Sequence, residues 1–267
     1  METAVYLYCL TRARSLPELH MKGVNNGAPV VITDFGDIAA VVAEVPLSEY
    51  CGEAAEDNLQ DLAWVGPRAI RHAEIIESVR GMAPVLPSRF GTLFSSMDGL
   101  KRLVELNMSK IETFLDAVSA ADEWSVKVLS SRASFAEKLF SERLASQSEI
   151  FAGMAPGLRY FKERQLRSAV EKEVGARLSA VLTEAAGELS RCSEDRRKRE
   201  IVDAQEEGGL VGVANWAFLV ARKAEAEFKS VIERANAGHN SGGVFFQMSG
   251  PWPAYSFTPE LTMEDGE

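Results

Sequence analysis

Apolar residues along the chain switch between a spacing of about two, which marks half-buried strands, and about 3.6, which marks amphipathic helices. Val5 to Leu10 is a β-branched and aromatic run that predicts a first strand, with turn chemistry following at Gly23 to Pro29. Val30 to Thr33 and Ile38 to Val45 predict two further strands, joined across Asp34 to Asp37 as a hairpin and ended by Pro46. From Asp57 the spacing turns helical through Leu59, Leu62, Ile70, Ile76 and Val79, with Pro67 expected to kink the segment or to start a second helix. Met97 to Ala121 predicts an amphipathic helix with Leu100, Leu103, Val104, Met108, Ile111, Phe114, Leu115 and Val118 on its apolar side.

Between those helical stretches lies VLPSRFGTLF, Val85 to Phe94, which reads as a strand carrying an arginine in an apolar run. A buried, unpaired guanidinium costs several kcal/mol, so Arg89 is expected to meet an acid such as Asp37 or Asp61.

The second half opens with EWSVKVL, where Trp124, Val126 and Val128 alternate with polar residues as on a half-buried strand. Ser134 to Ser148 and Pro156 to Ser190 predict helices. The second is long, with a stripe of Leu158, Phe161, Leu166, Val170, Val174, Leu178, Val181 and Leu182, and part of it is expected to stand away from the core. Glu163 and Arg167 are spaced to pair along it. Gly208 and Gly209 then break the chain before a buried strand at Leu210 to Val220, a helix at Ala221 to Asn236 and a last strand at Val244 to Met248. The order β, long α, β, α, β predicts an α+β chain of two domains, the C-terminal one a ferredoxin-like sandwich with an enlarged helical insertion. The expected boundaries are 1–121, 122–249 and a tail, 250–267, lying on the surface. In that tail GPWPAYSF sets prolines on both sides of Trp252 and is expected to act as a latch.

Composition narrows the function. A net charge of -10 argues against a protein that binds nucleic acid by neutralising phosphates. The one basic run, Arg196 to Arg199, is flanked by Glu194, Asp195 and Glu200 and reads as a solvated helix face. Cys9, Cys51 and Cys192 are too few and too far apart for a disulfide framework or a zinc site, which suits a reducing cytoplasm. The N-terminus has no basic region ahead of its apolar run, and Leu210 to Ala221 is too short to span a bilayer.

Signatures of chemistry are missing from the sequence. It holds no GxSxG, no P-loop, no HExxH and no GxGxxG after a strand, and GHNSGG at Gly238 to Gly243 follows a helix, the wrong order for a phosphate cradle. His20, His72 and His239 are scattered without ligand spacing. The expectation is a protein without catalytic residues, cofactor or metal.

GDIAAVVAEVP at Gly36 to Pro46, VLPSRFGTLF, EWSVKV at Glu123 to Val128, GLRYFKER at Gly157 to Arg164 and the closing GPWPAYSF together resemble the gas vesicle protein family GvpF/GvpL, in the family's order and across nearly the whole chain. Ser88 stands where that motif usually carries a large apolar residue, and Ala254 where it often has proline. The resemblance implies an accessory protein that contacts the amphiphilic shell subunit and other accessory proteins while gas vesicles nucleate and grow. It marks Arg89, Phe90, Trp124, Tyr160, Trp252 and Tyr255 as structural or partner-contact residues. The competing expectation is a ferredoxin-like enzyme or small-ligand binder with an interdomain pocket near Arg89.

Overall fold

The structure, a computed structural model, describes residues 2–13, 16–201 and 209–263, so Gly208 and the last residues of the 250–267 tail lie outside it. In chain order the elements are β1 (Thr3–Arg12), β2 (Val31–Phe35), β3 (Ile38–Pro46), α1 (Leu47–Tyr50), α2 (Glu53–Gln60), α3 (Leu62–Arg80), β4 (Val85–Pro87), β5 (Leu93–Phe94) and α4 (Met97–Ala117). They continue with β6 (Ala121–Ser130), α5 (Arg132–Ser146), α6 (Ser148–Ala152), α7 (Pro156–Arg191), β7 (Asp195–Lys198), β8 (Val211–Ala221), α8 (Glu225–His239) and β9 (Val244–Trp252). The chain divides into one compact unit of residues 1–123 with 252–267 and a second of 124–251.

In the first unit the sheet runs β2-β3-β1-β4, with β5 also paired to β1. β3 is buried along almost its whole length, the signature of a strand covered on both faces. Val41, Ala43 and Val45 share one face with Tyr6 and Tyr8 of β1, and α3 covers it with Ile75, Ile76 and Val79. α4 packs against the same sheet through Leu100, Val104, Ile111 and Leu115. The start of α3 is set by Asp61, whose side chain accepts from the Ala63 N–H at 2.9 Å, and Pro67 lies inside the helix instead of starting it.

VLPSRFGTLF is not one strand. β1 pairs with β3 in a register that jumps between Leu7 and Cys9, leaving Tyr8 as the extra residue of a β-bulge. On the other edge of β1, β4 pairs with Cys9 to Thr11 and β5 with Val5 and Tyr6. Opposite the bulge, Ser88 to Thr92 arches away from the sheet. Its two feet are tied by Ser88 N–H to the Tyr8 carbonyl at 2.9 Å and Leu7 N–H to the Thr92 carbonyl at 3.0 Å. The arch closes through Thr92 N–H to the Arg89 carbonyl at 3.2 Å, with Gly91 at φ +79°, where a type II turn needs a positive value. Arg89 therefore sits at the crown, exposed to solvent, and among the described residues no ion pair joins it to Asp37 or Asp61. The arginine is compatible with the apolar run because the run leaves the sheet at that point.

The second unit has a four-stranded sheet in the order β7-β8-β6-β9. Trp124, Val126 and Val128 of β6, Trp216, Phe218 and Val220 of β8, and Val244 and Phe246 of β9 meet Phe135 and Phe140 of α5, Val170, Val174 and Leu189 of α7 and Phe228 and Ile232 of α8 in one core. The basic run corrects the expected helix face: it forms the exposed edge strand β7, with Arg196 opposite Phe218 and Lys198 opposite Trp216. Pairing with β8 decides its conformation, which its own charges do not. Along α7, Arg167 pairs directly with Glu137 of α5 at 2.6 Å and Glu163 with Arg159 at 2.8 Å, while Glu163 also acts on Arg167 through its charge.

Candidate functional site

A buried polar node in the first unit holds the arch in place. Gly91 N–H donates to the Tyr6 hydroxyl at 3.0 Å, and that hydroxyl lies 3.0 Å from His72 Nδ1. The other ring nitrogen, Nε2, is 3.2 Å from the Ser88 carbonyl. A carbonyl only accepts, so Nε2 carries the proton, Nδ1 accepts, and Tyr6 passes on the bond it receives from Gly91. Burial pushes the His72 pKa down to about 4, opposed by the bond to the Ser88 carbonyl, so the ring is neutral at physiological pH. Burial also pushes the Tyr6 and Tyr8 phenols well above their usual range. Tyr8 accepts from Val24 N–H at 2.9 Å. The Ser88 hydroxyl faces the carbonyls of Leu7 and Tyr8. His72 meets the Ser88 carbonyl and not this hydroxyl, so the node orders the backbone.

The residues marked from sequence fall in three settings. Phe90 lies edge-on to His72 at 5.9 Å and to Tyr6 at 6.3 Å, as the inner partner of the exposed Arg89. Trp124 is buried in the second core beneath the Lys229 ammonium, 4.9 Å from its ring centre. Trp252 and Tyr255 belong to the closing segment, where Tyr255 N–H donates to the Pro253 carbonyl at 2.7 Å. Ser256 donates through its backbone and its hydroxyl to the two oxygens of Glu123, each at 2.8 Å, and Thr262 bonds the side chain of Asn107. Trp252 is 47% exposed, while desolvation of the Tyr255 phenol pushes its pKa up to about 12.

Tyr160 is different. From Ala152 to Ala169 no residue of α6 or α7 is buried, although the apolar stripe continues through this stretch. Tyr160 (61% exposed) and Phe161 (68%) stand edge to face at 5.9 Å, with Leu158 also open to solvent on α7 and Ile150 on α6. Arg159, Lys162, Glu163 and Arg164 flank these rings along the helix. An exposed apolar cluster on a charged helix is the form of a protein contact surface. Leu158 and Phe161 had the period of core residues; periodicity shows which face is apolar and leaves open what covers it.

Among the described residues no three or more His, Cys, Asp or Glu side chains are grouped to hold a metal ion, and no helix is long and apolar enough to cross a membrane.

A family model described as gas vesicle synthesis protein GvpL/GvpF matches residues 4–259. The chain is 28% identical over 255 residues to gas vesicle protein L of Streptomyces sp. (strain CB03234), across 94% of this chain and 91% of that protein. It is 22% identical to gas vesicle protein L2 of Halobacterium salinarum, across 97% and 93%. The crystal structure of the gas vesicle protein GvpF from Anabaena sp. PCC7120 superposes with a TM-score of 0.69 at 16% identity, covering 97% of this chain and 100% of that one. GvpF from Microcystis aeruginosa gives 0.65 at 15% identity, covering 96% and 99%. At such identities the two crystal structures speak for the fold.

Proposed function

The chain belongs to the gas vesicle synthesis protein GvpL/GvpF family, and on that premise we propose that it is a non-catalytic accessory protein of gas vesicle nucleation and assembly. It works in the cytoplasm on the forming vesicle, the organelle of buoyancy. Its partners are the amphiphilic shell subunit and other accessory proteins. The observation that carries this reading is the exposed cluster of Leu158, Tyr160 and Phe161 on the uncovered part of α7. An amphiphilic subunit aggregates unless its apolar surface is met by apolar surface on a soluble protein, and the charged residues flanking the cluster keep the carrier itself from aggregating.

The second domain is read as ferredoxin-like. Its β-α-β-β-α-β order and its sheet order β7-β8-β6-β9 support that reading, with α7 as the enlarged helix. The two-domain plan of 1–121 and 122–249, closed by a 250–267 tail, goes with it.

Co-expression with the shell subunit tests the function. The triple variant Leu158→Ser, Tyr160→Ser, Phe161→Ser removes exposed side chains only, so its melting temperature should match the wild type while co-purification of the shell subunit is lost. Undiminished co-purification would overturn the assignment of this surface.

A further inference from the structure

α7 and the edge of the second sheet enclose an open trough of ≈ 570 Å³. One wall is a face of α7 made of Ser179, Leu182, Thr183, Ala186, Gly187 and Ser190, and the floor is Val213, Ala214 and Trp216 of β8. The outer rim is Arg196 and Lys198. The pairing register puts those two cations on the same face of the sheet as Trp216 and Phe218, the face that carries the helices. Among the described residues the helix layer thus stops at α7 and leaves the β7 edge of that face uncovered.

Among the described residues the rim is charged and without a side-chain partner. Within the basic run Arg197 pairs with Asp195 at 3.0 Å and Arg199 donates to the Ser125 hydroxyl at 3.4 Å. Arg196 and Lys198 have no side-chain hydrogen bond or ion pair among the described residues. In a chain of net charge -10, two uncommitted cations above an apolar floor are a local reversal of sign.

We propose that this trough is a docking groove for one amphipathic α-helix of a partner protein, with carboxylates along one margin of its apolar face. Three features fit that occupant. The wall from Ser179 to Ser190 runs for about three helical turns. Its small side chains let a second helix lie close alongside, and the floor receives an apolar face in the helix-in-groove manner. Alternate residues of a strand are about 7 Å apart and residues four apart on a helix about 6 Å, so acids at i and i+4 of the guest meet Arg196 and Lys198 together. The groove is distinct from the Leu158–Phe161 cluster, and the proposal does not depend on the partner being the shell subunit.

A photocrosslinking amino acid placed at Thr183, on the exposed wall, in the full chain in vesicle-forming cells tests this. Mass spectrometry should identify an adduct with a peptide of another protein that has a helical apolar period and acids at i and i+4. Gly187→Leu should abolish the adduct, since Gly187 lines the trough and a Cβ there meets nothing within 4 Å, so the leucine side chain projects into the trough. Its melting temperature should be no lower than the wild type, as leucine is the better helix former. A synthetic copy of the captured peptide should bind the purified chain at least tenfold more weakly when its two acids become lysine, and Arg196→Glu with Lys198→Glu should reverse that preference. The absence of an adduct, an adduct with nucleic acid or with a second copy of this chain, or an adduct that survives Gly187→Leu overturns the proposal. The adduct should persist in the Leu158, Tyr160, Phe161 triple variant, so failure of the shell-subunit reading and failure of this one are distinguishable.

Discussion

The side chain of Asn107 and the backbone of Thr262 close a two-bond ring: Nδ2 donates to the Thr262 carbonyl at 2.9 Å and the Thr262 N–H donates to Oδ1 at 3.1 Å. Asn107 is 2% exposed in the middle of α4, where its amide also reaches the Leu103 carbonyl at 2.8 Å. A buried asparagine on an apolar helix face is otherwise costly, and here it is satisfied by the closing segment. Asn107→Ala should therefore lower stability by about 2 kcal/mol and speed limited proteolysis near Thr262. Trp252→Ala, at a half-exposed position, should change that cleavage less. Equal effects of the two variants would show that the tail is held by its apolar side chain.

The neutral His72 makes stability depend on acid. Its folded pKa, about 4, lies below the unfolded value of about 6.5, so between those values the unfolded chain binds the extra proton. Stability from this group is complete above pH 6.5 and is lost as pH falls through 4, amounting to about 3 kcal/mol across the window. Denaturant titrations at pH 7 and pH 4.5 should show this loss, and His72→Gln should flatten it at a cost already present at pH 7. An unchanged pH profile in His72→Gln would mean that other groups carry the acid response.

Arg89 and Gly91 occupy the same arch and should differ in how much a substitution costs. Arg89 is exposed at the crown, so Arg89→Glu should alter stability by no more than about 0.5 kcal/mol. Gly91 has φ +79°, and a side chain there touches nothing within 4 Å, so Gly91→Ala should cost about 1 kcal/mol through the backbone alone. Thermal melts of the two variants separate these cases.

Sequence reasoning succeeded where local pattern and tertiary environment agree. The α4 stripe, apart from the half-buried Met108, and the Trp124, Val126, Val128 alternation are buried as their periods imply. It failed where conformation is set from a distance. The arch exists because β1 carries a bulge at Tyr8, and a bulge leaves no mark on the apolar period of a buried strand. β7 is a strand because β8 offers it a partner, and four exposed polar residues give no period to read. The His72 node joins residues 66 apart in the chain, and neither Tyr6 nor His72 is unusual among its sequence neighbours. Tyr160 was marked by a motif, whereas the exposure of Leu158 and Phe161 beside it could not be seen, because a core stripe and an uncovered stripe have the same spacing.

Ser88 tests how closely the arch depends on its own chemistry. Its hydroxyl faces the carbonyls of Leu7 and Tyr8 at the bulge, its carbonyl accepts from His72 Nε2–H, and its N–H donates to the Tyr8 carbonyl. Ser88→Ala keeps the backbone bonds and loses the hydroxyl, so it should cost about 1 kcal/mol. Ser88→Leu, which introduces a large apolar side chain, must find room in a buried site beside two carbonyls, and should cost about 3 kcal/mol. The same variant should loosen the node, raising the His72 pKa toward its ordinary value as water enters, which NMR titration of the ring would detect. A Ser88→Leu chain as stable as the wild type, with the His72 pKa still near 4, would show that the bulge accommodates either side chain and that the hydroxyl does not hold the arch.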